Sequence, residues 1–294
     1  MGLLSGCDSD SKSLDEYVPE AIEAPVKAKQ SYAFAVHPLH NPVRLHQAFN
    51  PLIDYLNKHI EEAEFTLEAS RNYAQFDQKL ANGSVAFALP NPYQTVQALD
   101  SKRYQVIAKM GDDQNFRGII LVRKDSPIRK PSDLIGRSIS YPAPTALAAT
   151  MMPQYFLYQN GIDVLHDLQN EYVGSQESSI MNVYLQETDA AATWSLPWQQ
   201  LSQQRPEVHE ALKVIWQTPT LPNNSVIALK EVPKSTKDKV LKLLTHLQDN
   251  TEGKIILQRI HLSKFEPATD STYIPVREFI DTFSTKVRNP AEID

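Results

Sequence analysis

Short apolar runs alternate with helical periodicities along most of the chain, and this pattern predicts repeated strand–helix units. The run SYAFAV at residues 31–36 predicts a buried first strand, and the next apolar positions recur at the spacing of one helix face. Those positions are Leu45, Phe49, Leu52, Ile53, Leu56 and Ile60. A strand over 65–69, a helix over 73–81 and a strand over 84–89 continue the rhythm, which predicts a mainly parallel sheet with helices on both faces.

A second rhythm of the same kind begins near Gly118. Its predicted strands lie at 119–122, within 131–142 and at 214–216, and its predicted helices at 145–159 and 177–185. An apolar stretch follows the second helix at 189–194. After residue 217 the sequence becomes rich in Pro and Asn. A strand at 225–229 and helices at 235–248 and 252–260 then complete the chain.

The two units predict an α/β clamshell of two lobes, each a mainly parallel sheet flanked by helices. Lobe one is predicted at residues 31–115 plus 220–294, and lobe two at 118–217 is inserted into it. The linkers near 111–118 and 217–223 are expected to form the hinge. Ligands of such sheets bind outside the carboxyl ends of the strands, which here face each other across a cleft.

The charge balance and the motif content exclude several classes of function. The chain of 294 residues has a formal charge of −6, and its Lys and Arg residues are scattered, whereas a nucleic-acid surface needs concentrated positive charge. There is no GxSxG, HExxH, P-loop or Rossmann motif, and nine glycines leave little material for phosphate loops. We therefore predict no catalysis, no cofactor and no nucleic-acid partner.

The single cysteine, Cys7, excludes an internal disulfide and cysteine zinc sites, and its position favours another role. Leu4-Ser5-Gly6-Cys7 is similar to a bacterial lipobox, in which the cysteine becomes lipidated. The polar segment that follows is typical of a flexible tether, so residues 1–30 are predicted to form the lipobox and the tether. This predicts an extracytoplasmic, membrane-anchored protein. The alternative is a free thiol in a frayed terminus.

Segments that cover nearly all of the chain after residue 31 resemble, in the same order, those of one known family. The segments are 34–58, 72–99, 122–163 (with its KDSPI entry), 173–193, 213–224 and 272–280. The family is that of the phosphate-, phosphite- and phosphonate-binding lipoproteins of ABC transporters. The resemblance implies the type II periplasmic binding-protein architecture. It also implies a monomer that captures a small oxyanion between two lobes and delivers it to an ABC permease. A sensory role with a histidine-kinase receptor is the alternative.

The resemblance also implies an anion site at a helix start, where relatives carry a Ser-Thr-Ser run. Here the run reads Pro144-Thr145-Ala146-Leu147, so Thr145 keeps a hydroxyl, and the N–H groups of Ala146 and Leu147 remain as donors. Unpaired N–H groups and the helix dipole hold an oxyanion without Lys or Arg. The alternative is an ordinary helix start that Thr145 caps.

Among the other positions that the resemblance implies, one matches the family residue and others differ. Tyr73 stands where relatives have a ligand-contacting tyrosine, and Gln176 stands where they have histidine. The acidic residues that grip an aminoalkyl group are replaced near Leu196-Pro197 and by Asn224. These changes argue against 2-aminoethylphosphonate as the ligand.

Aromatic and histidine side chains complete the predicted site. Tyr93, Tyr141 and Trp194, with Tyr73, are candidates for the cleft lining, and about half of the four are expected there. Such a lining suits a ligand with an apolar face or a cation, so an aromatic or cationic small molecule is an alternative ligand class. His37, three residues before His40, borders the cleft; without further ligands nearby we predict no metal site.

Overall fold

The computed structural model describes residues 1–2, 29–39, 42–290 and 292. Cys7, most of the predicted tether and His40 therefore lie outside the described residues. The strands are β1 Gln30–Val36, β2 Ala63–Glu68, β3 Phe87–Leu89, β4 Tyr104–Met110, β5 Gly118–Arg123, β6 Ser138–Tyr141, β7 Gln169–Tyr172, β8 Ala190–Trp194, β9 Leu212–Gln217, β10 Ser225–Leu229 and β11 Phe265–Pro267. The α-helices are α1 Pro42–His59, α2 Tyr73–Asn82, α3 Pro92–Asp100, α4 Met152–Gln159, α5 Gln176–Tyr184, α6 Ser195–Gln204, α7 Pro206–Ala211, α8 Lys234–Thr245, α9 Thr251–Arg259 and α10 Ile274–Lys286.

The strands form two sheets, which confirms the α/β two-lobed architecture. One sheet has the order β11-β4-β10-β3-β1-β2, and the other has the order β7-β6-β8-β5-β9. We call the first sheet with α1–α3 and α8–α10 lobe one, and the second sheet with α4–α7 lobe two. The chain crosses from lobe one to lobe two between β4 and β5 and returns between β9 and β10.

Both sheets are mixed, although most strands of each run in one direction. β1 pairs with β2 and β3 in parallel, and β6 pairs with β7 and β8 in parallel. β10 is antiparallel to both of its neighbours, and so is β5. These reversed strands are the first strands after each crossover, where the chain enters a sheet from the opposite lobe.

The apolar face predicted for α1 is the face that packs on lobe one. Leu45, Phe49, Leu52, Ile53 and Leu56 are all 4 % exposed or less. Their burial against β2 and α9 stabilises the helix around its internal proline, Pro51.

The helix predicted at 145–159 begins differently from the prediction. Its first turn is a π-helix, Leu147–Met151, which continues directly into α4. Pro153 has no N–H to give to the carbonyl four residues earlier and its ring collides with that carbonyl, so a wider turn before it relieves both problems. Thr145 therefore lies before the helix and not in it.

Candidate functional site

A small buried cavity lies between the two lobes. It is lined by His37, Tyr73 and Asn91 of lobe one, by Phe116 and Asn224 of the crossovers, and by Ala146–Ala149, Gln176 and Trp194 of lobe two. A water-sized sphere can move its centre through about 10 Å³ of this cavity. Such a space is about that of one water molecule. Seven of the ten ligand-binding residues predicted from the sequence meet here.

Four helix N-termini converge on the cavity. Tyr73 and Gln176 are the first residues of α2 and α5, Asn91 caps α3, and Leu147 begins the π-turn that leads into α4. Each N-terminus carries unpaired N–H groups and about half a positive charge. No Lys, Arg, Asp or Glu is among the described residues that line the cavity. Its positive potential therefore comes from backbone dipoles alone.

The π-turn supplies the free backbone donors. Ala146 N–H donates to the carbonyl of Ala143, and the next helical bonds start only at Thr150 and Met151, which both donate to the Ala146 carbonyl. No acceptor among the described residues takes the N–H of Leu147, Ala148 or Ala149. Three amide donors thus stand in the cavity wall, as in helix-terminus anion sites.

The Gln176 side chain is oriented by a buried threonine. Thr193, which is fully buried, donates from Oγ1 to Gln176 Oε1 at 2.8 Å. The Gln176 Nε2 group is therefore turned away from Thr193, and the Gln176 side chain lies close enough to the Tyr73 hydroxyl to act against the rise of its pKa. Because burial raises the pKa of Tyr73 well above its usual value, its hydroxyl keeps a proton to donate.

His37 lies in the cavity as a neutral imidazole. Its Nδ1 donates to the carbonyl of Leu89 at 2.9 Å, since a carbonyl oxygen can only accept. Burial lowers the pKa of His37 to about 4, against which the hydrogen bond to Leu89 acts only weakly. The ring packs edge-on to Tyr73 and Phe76. At neutral pH its other nitrogen, Nε2, is a hydrogen-bond acceptor.

One wall of the cavity is aromatic. Trp194 ends β8, and its ring centroid lies 5.3 Å from that of Phe116, which belongs to the first crossover. Phe116 and Asn91 were missed by the sequence reasoning. The capping signature Asn-Pro-x-Gln at 91–94 was a usable signal for Asn91, since it marks a helix start beside a strand end. Nothing comparable marked Phe116.

Three predicted residues lie elsewhere. Tyr141 is fully buried in the core of lobe two, 5.8 Å from the ring of Tyr172. Thr145 and Tyr93 line a separate pocket of about 430 Å³ with Asp77, outside the cavity. Thr145 lies outside the cavity because the chain bends before the π-turn. This bend places Ala146 at the cavity and Thr145 behind it. The structure thus does not bring these three side chains to the candidate site.

Polar contacts between the lobes surround the cavity at the rim of the cleft. Asn91 Nδ2 donates to the Thr145 carbonyl at 3.3 Å. On one side, Arg44 of α1 reaches Glu177 at 3.5 Å. On the other side, Arg288 donates to the carbonyl of Pro144 at 2.8 Å and to Gln154 Oε1 at 3.0 Å. Charged side chains, which are absent from the described cavity lining, thus connect the two lobes at the rim.

The described part of the chain was also compared with the requirements of a metal site and of a membrane-spanning helix, and it meets neither. Within that part, no group of three or more His, Cys, Asp or Glu side chains is placed to hold a metal ion. None of the helices in the same part is both long enough and apolar enough to span a bilayer.

Two α/β lobes joined by two crossovers, with a buried cavity of helix N-termini between them, define a two-lobed solute-binding protein. A family model described as "ABC transporter, phosphonate, periplasmic substrate-binding protein" matches residues 34–273, and the chain belongs to that family. This confirms the resemblance that the sequence showed.

Individual relatives are distant in sequence and close in fold. The phosphonates-binding periplasmic protein of Escherichia coli K12 is 23% identical over 214 residues, which are 70% of this chain and 63% of the relative. A binding protein component of a Pseudomonas aeruginosa ABC phosphonate transporter superimposes with a TM-score of 0.81 at 18% identity, over 88% of each chain. PhnD1 from Prochlorococcus marinus, solved in complex with methylphosphonate, gives 0.80 at 19% identity, over 87% of this chain and 98% of its own.

Proposed function

We propose that this protein captures a small oxyanion, of the phosphate, phosphite or methylphosphonate class, between its lobes and delivers it to an ABC permease. The observation that carries the proposal is the convergence of four helix N-termini on a cavity with no charged lining among the described residues. Such a cavity attracts an anion and supplies the hydrogen bonds that replace its hydration shell. A cation would meet the same dipoles with the wrong sign.

The size and walls of the cavity narrow the ligand class. Space of about 10 Å³ for the centre of a water-sized sphere is about that of one water molecule, so the walls must move for any ligand, and they must move less for a compact oxyanion than for an aromatic ring. The Phe116 and Trp194 rings offer an apolar wall for a hydrogen or methyl substituent. No carboxylate lines the described cavity to receive an ammonium group, which supports the prediction against 2-aminoethylphosphonate.

Closure around the ligand follows from contributions by both lobes. Lobe one supplies Tyr73 and His37, and lobe two supplies Gln176 and the π-turn amides. Only the closed form presents all of these groups to one ligand, so binding shifts the equilibrium toward closure. We propose that the segments near 111–118 and 217–223 act as the hinge between the predicted lobes.

The decisive variant removes one amide and keeps the helix. Leu147→Pro deletes the N–H of the first helical residue, where proline is well tolerated, and Ala146 already has the extended backbone (φ −74, ψ 98) that a residue before proline prefers. Isothermal titration with phosphate, phosphite and methylphosphonate is expected to show a loss of about 10-fold or more in affinity. Leu147→Val is the matched control, since it shortens the side chain and retains the N–H. Equal affinities of the two variants would refute the helix-terminus site.

The sequence suggested that Thr145→Ala would weaken binding more than Gln176→Ala. With Thr145 outside the cavity and Gln176 within it, the order is now expected to reverse. The same titrations measure this order directly.

We further propose that the protein works as a monomer, without catalysis, and is held at the membrane through a lipid on Cys7. The lipobox-like segment and the two-lobed family support this arrangement. Cys7→Ser should release the protein from the membrane fraction, and ligand recovered after binding should show an unchanged ³¹P spectrum. Membrane retention of the variant or a new phosphorus resonance would contradict the respective part.

A further inference from the structure

Asn224 places an unsatisfied hydrogen-bond acceptor beside the amide donors of the cavity. Its Oδ1 is buried and has no hydrogen-bond partner in the structure. Its Nδ2 lies 3.6 Å from Met110 Sδ, a weak acceptor. The reverse orientation of the amide would set two acceptors against each other and would leave two N–H groups without partners. The carbonyl oxygen of Asn224 is therefore the atom available to a bound ligand.

His37 Nε2 is a second acceptor in the same cavity. The Leu89 carbonyl holds the ring proton on Nδ1, and the buried ring is neutral at neutral pH, so Nε2 keeps its lone pair. No described side chain or backbone group donates to it. His37 and Asn224 both line the cavity, so each brings an acceptor atom to its wall.

An oxyanion without hydrogen satisfies only part of this arrangement. Its oxygens accept from the π-turn amides, Tyr73 and Gln176, but any oxygen near Asn224 Oδ1 or His37 Nε2 would bring lone pair against lone pair. Since a buried polar group without a partner is costly, a ligand that brings an O–H is strongly preferred.

From this pairing of donors and acceptors, we infer that the site selects oxyanions that still carry a hydrogen on oxygen, namely hydrogen phosphate, hydrogen phosphite or monoprotonated methylphosphonate. It rejects sulfate and sulfonates of the same shape, which carry no such hydrogen at neutral pH. The inference rests on the proposed function and specifies its substrate class. Asn224 is then a specificity-determining residue because it receives the ligand's proton.

The first test compares isosteric pairs on the full chain by isothermal titration at pH 7: methylphosphonate with methanesulfonate, and phosphate with sulfate. The phosphorus member of a pair is expected to bind about 10- to 100-fold more tightly, the range for an unpaired buried acceptor. Equal binding of both members overturns this inference and leaves the proposed function standing. If neither class binds, the proposed function itself fails.

A variant pair locates the discrimination. Asn224→Leu removes the acceptor and keeps a similar volume, so the phosphonate-to-sulfonate affinity ratio should fall toward one. Gln176→Met is the matched control: it removes a donor that both ligands use, so both affinities should fall and the ratio should persist. An unchanged ratio in Asn224→Leu overturns the inference.

The pH dependence of the unaltered protein gives an answer even if Asn224→Leu does not fold. Affinity for methylphosphonate should fall about tenfold per pH unit above the ligand's own last pKa, as the required proton is lost. The protein's own groups do not mimic this effect between pH 7 and 9. Burial lowers the pKa of His37 to about 4 and raises that of Tyr73 above its usual value, and burial raises the pKa of Asp77, on α2, to about 6.

Behind Asn224, Lys109 is paired with Asp113 at 2.9 Å and with Glu266 at 2.7 Å. Burial opposes the charge of Lys109, but hydrogen bonds to both carboxylates raise its pKa. Lys109 therefore stays charged over the tested range. A constant affinity for methylphosphonate from pH 7 to 9 would overturn the inference.

Discussion

The buried cavity and the rim of the cleft differ in the polar groups that they use. The cavity uses amides, a hydroxyl, a neutral imidazole and aromatic rings, whereas the rim uses Arg44 and Arg288. Charges in a closed cavity would suffer a large desolvation penalty, while dipoles of helices that are already folded suffer little. The contrast supports the proposal that fixed dipoles recognise the ligand, while charged side chains connect the lobes.

Replacing His37 tests the neutrality of the cavity and should have the largest effect. Above pH 6.5 the histidine is neutral in both states; as the pH falls toward 4, the unfolded chain binds a proton that the folded chain refuses. The unfolding free energy should therefore drop by up to about 3 kcal/mol over this window, and His37→Gln should abolish that drop.

Urea unfolding of both proteins from pH 7.5 to 4 measures this difference. Asp77, whose pKa burial raises to about 6, changes stability in the opposite sense, but it is present in both proteins and cancels. Parallel pH profiles would show that His37 accepts a proton in the folded state.

Gly118→Ala tests whether the position of the π-turn matters to the cavity. A Cβ at residue 118 would overlap the Ala148 carbonyl oxygen and would lie 2.7 Å from Pro153 Cδ. We expect a loss of about 1–3 kcal/mol in stability from overpacking. Because the displaced turn carries the amide donors, oxyanion affinity should fall as well.

Gly136→Ala is the control for this substitution. Gly136 has φ +77 with nothing within 4 Å of an added Cβ, so the change costs stability through backbone strain alone. Unfolding curves and titrations of both variants separate the two effects. Undiminished affinity in Gly118→Ala would contradict the placement of the donors.

Arg288→Ala tests the partly buried side of the rim. The guanidinium bonds lobe two at Pro144 and Gln154, and it lies 5.8 Å from the Tyr172 ring and 5.4 Å from the Phe283 ring. Loss of these contacts should favour the open form by about 1 kcal/mol, with a several-fold weaker affinity. Small-angle scattering without ligand should show a larger radius of gyration. Arg288→Lys should recover part of the effect, since it keeps the charge without the fork.

Glu177→Gln tests the exposed side of the rim and should have the smallest effect. The Arg44–Glu177 pair is 3.5 Å long and its side chains are 31 % and 46 % exposed. Exposed pairs contribute about 0–1 kcal/mol, so affinity and stability should barely change. A loss of affinity as large as that of Arg288→Ala would contradict the expected difference between the exposed and the partly buried side of the rim.

The sequence by itself determined the local elements and most of the residues that line the cavity. The buried face of α1 follows from its periodicity, and α2 ends at Gly83 in the left-handed conformation, as Asn82-Gly83 predicted. Tyr73 and Gln176 were identified through the family resemblance, and the structure places both at helix starts, which meet strand ends at the cleft in such folds.

Only the tertiary structure decided which of two adjacent loop residues lines the cavity. Ala146 reaches the cavity and Thr145 does not, because the π-turn before Pro153 sets where the helix begins. Tyr141 belongs to a core, and Phe116 joins the site only because the first crossover folds over Trp194. Periodicity fixes which face of an element is buried, but side-chain direction in a loop depends on contacts from distant parts of the chain. The same holds for the lone pairs of His37 and Asn224, whose orientation is set by Leu89 and Met110.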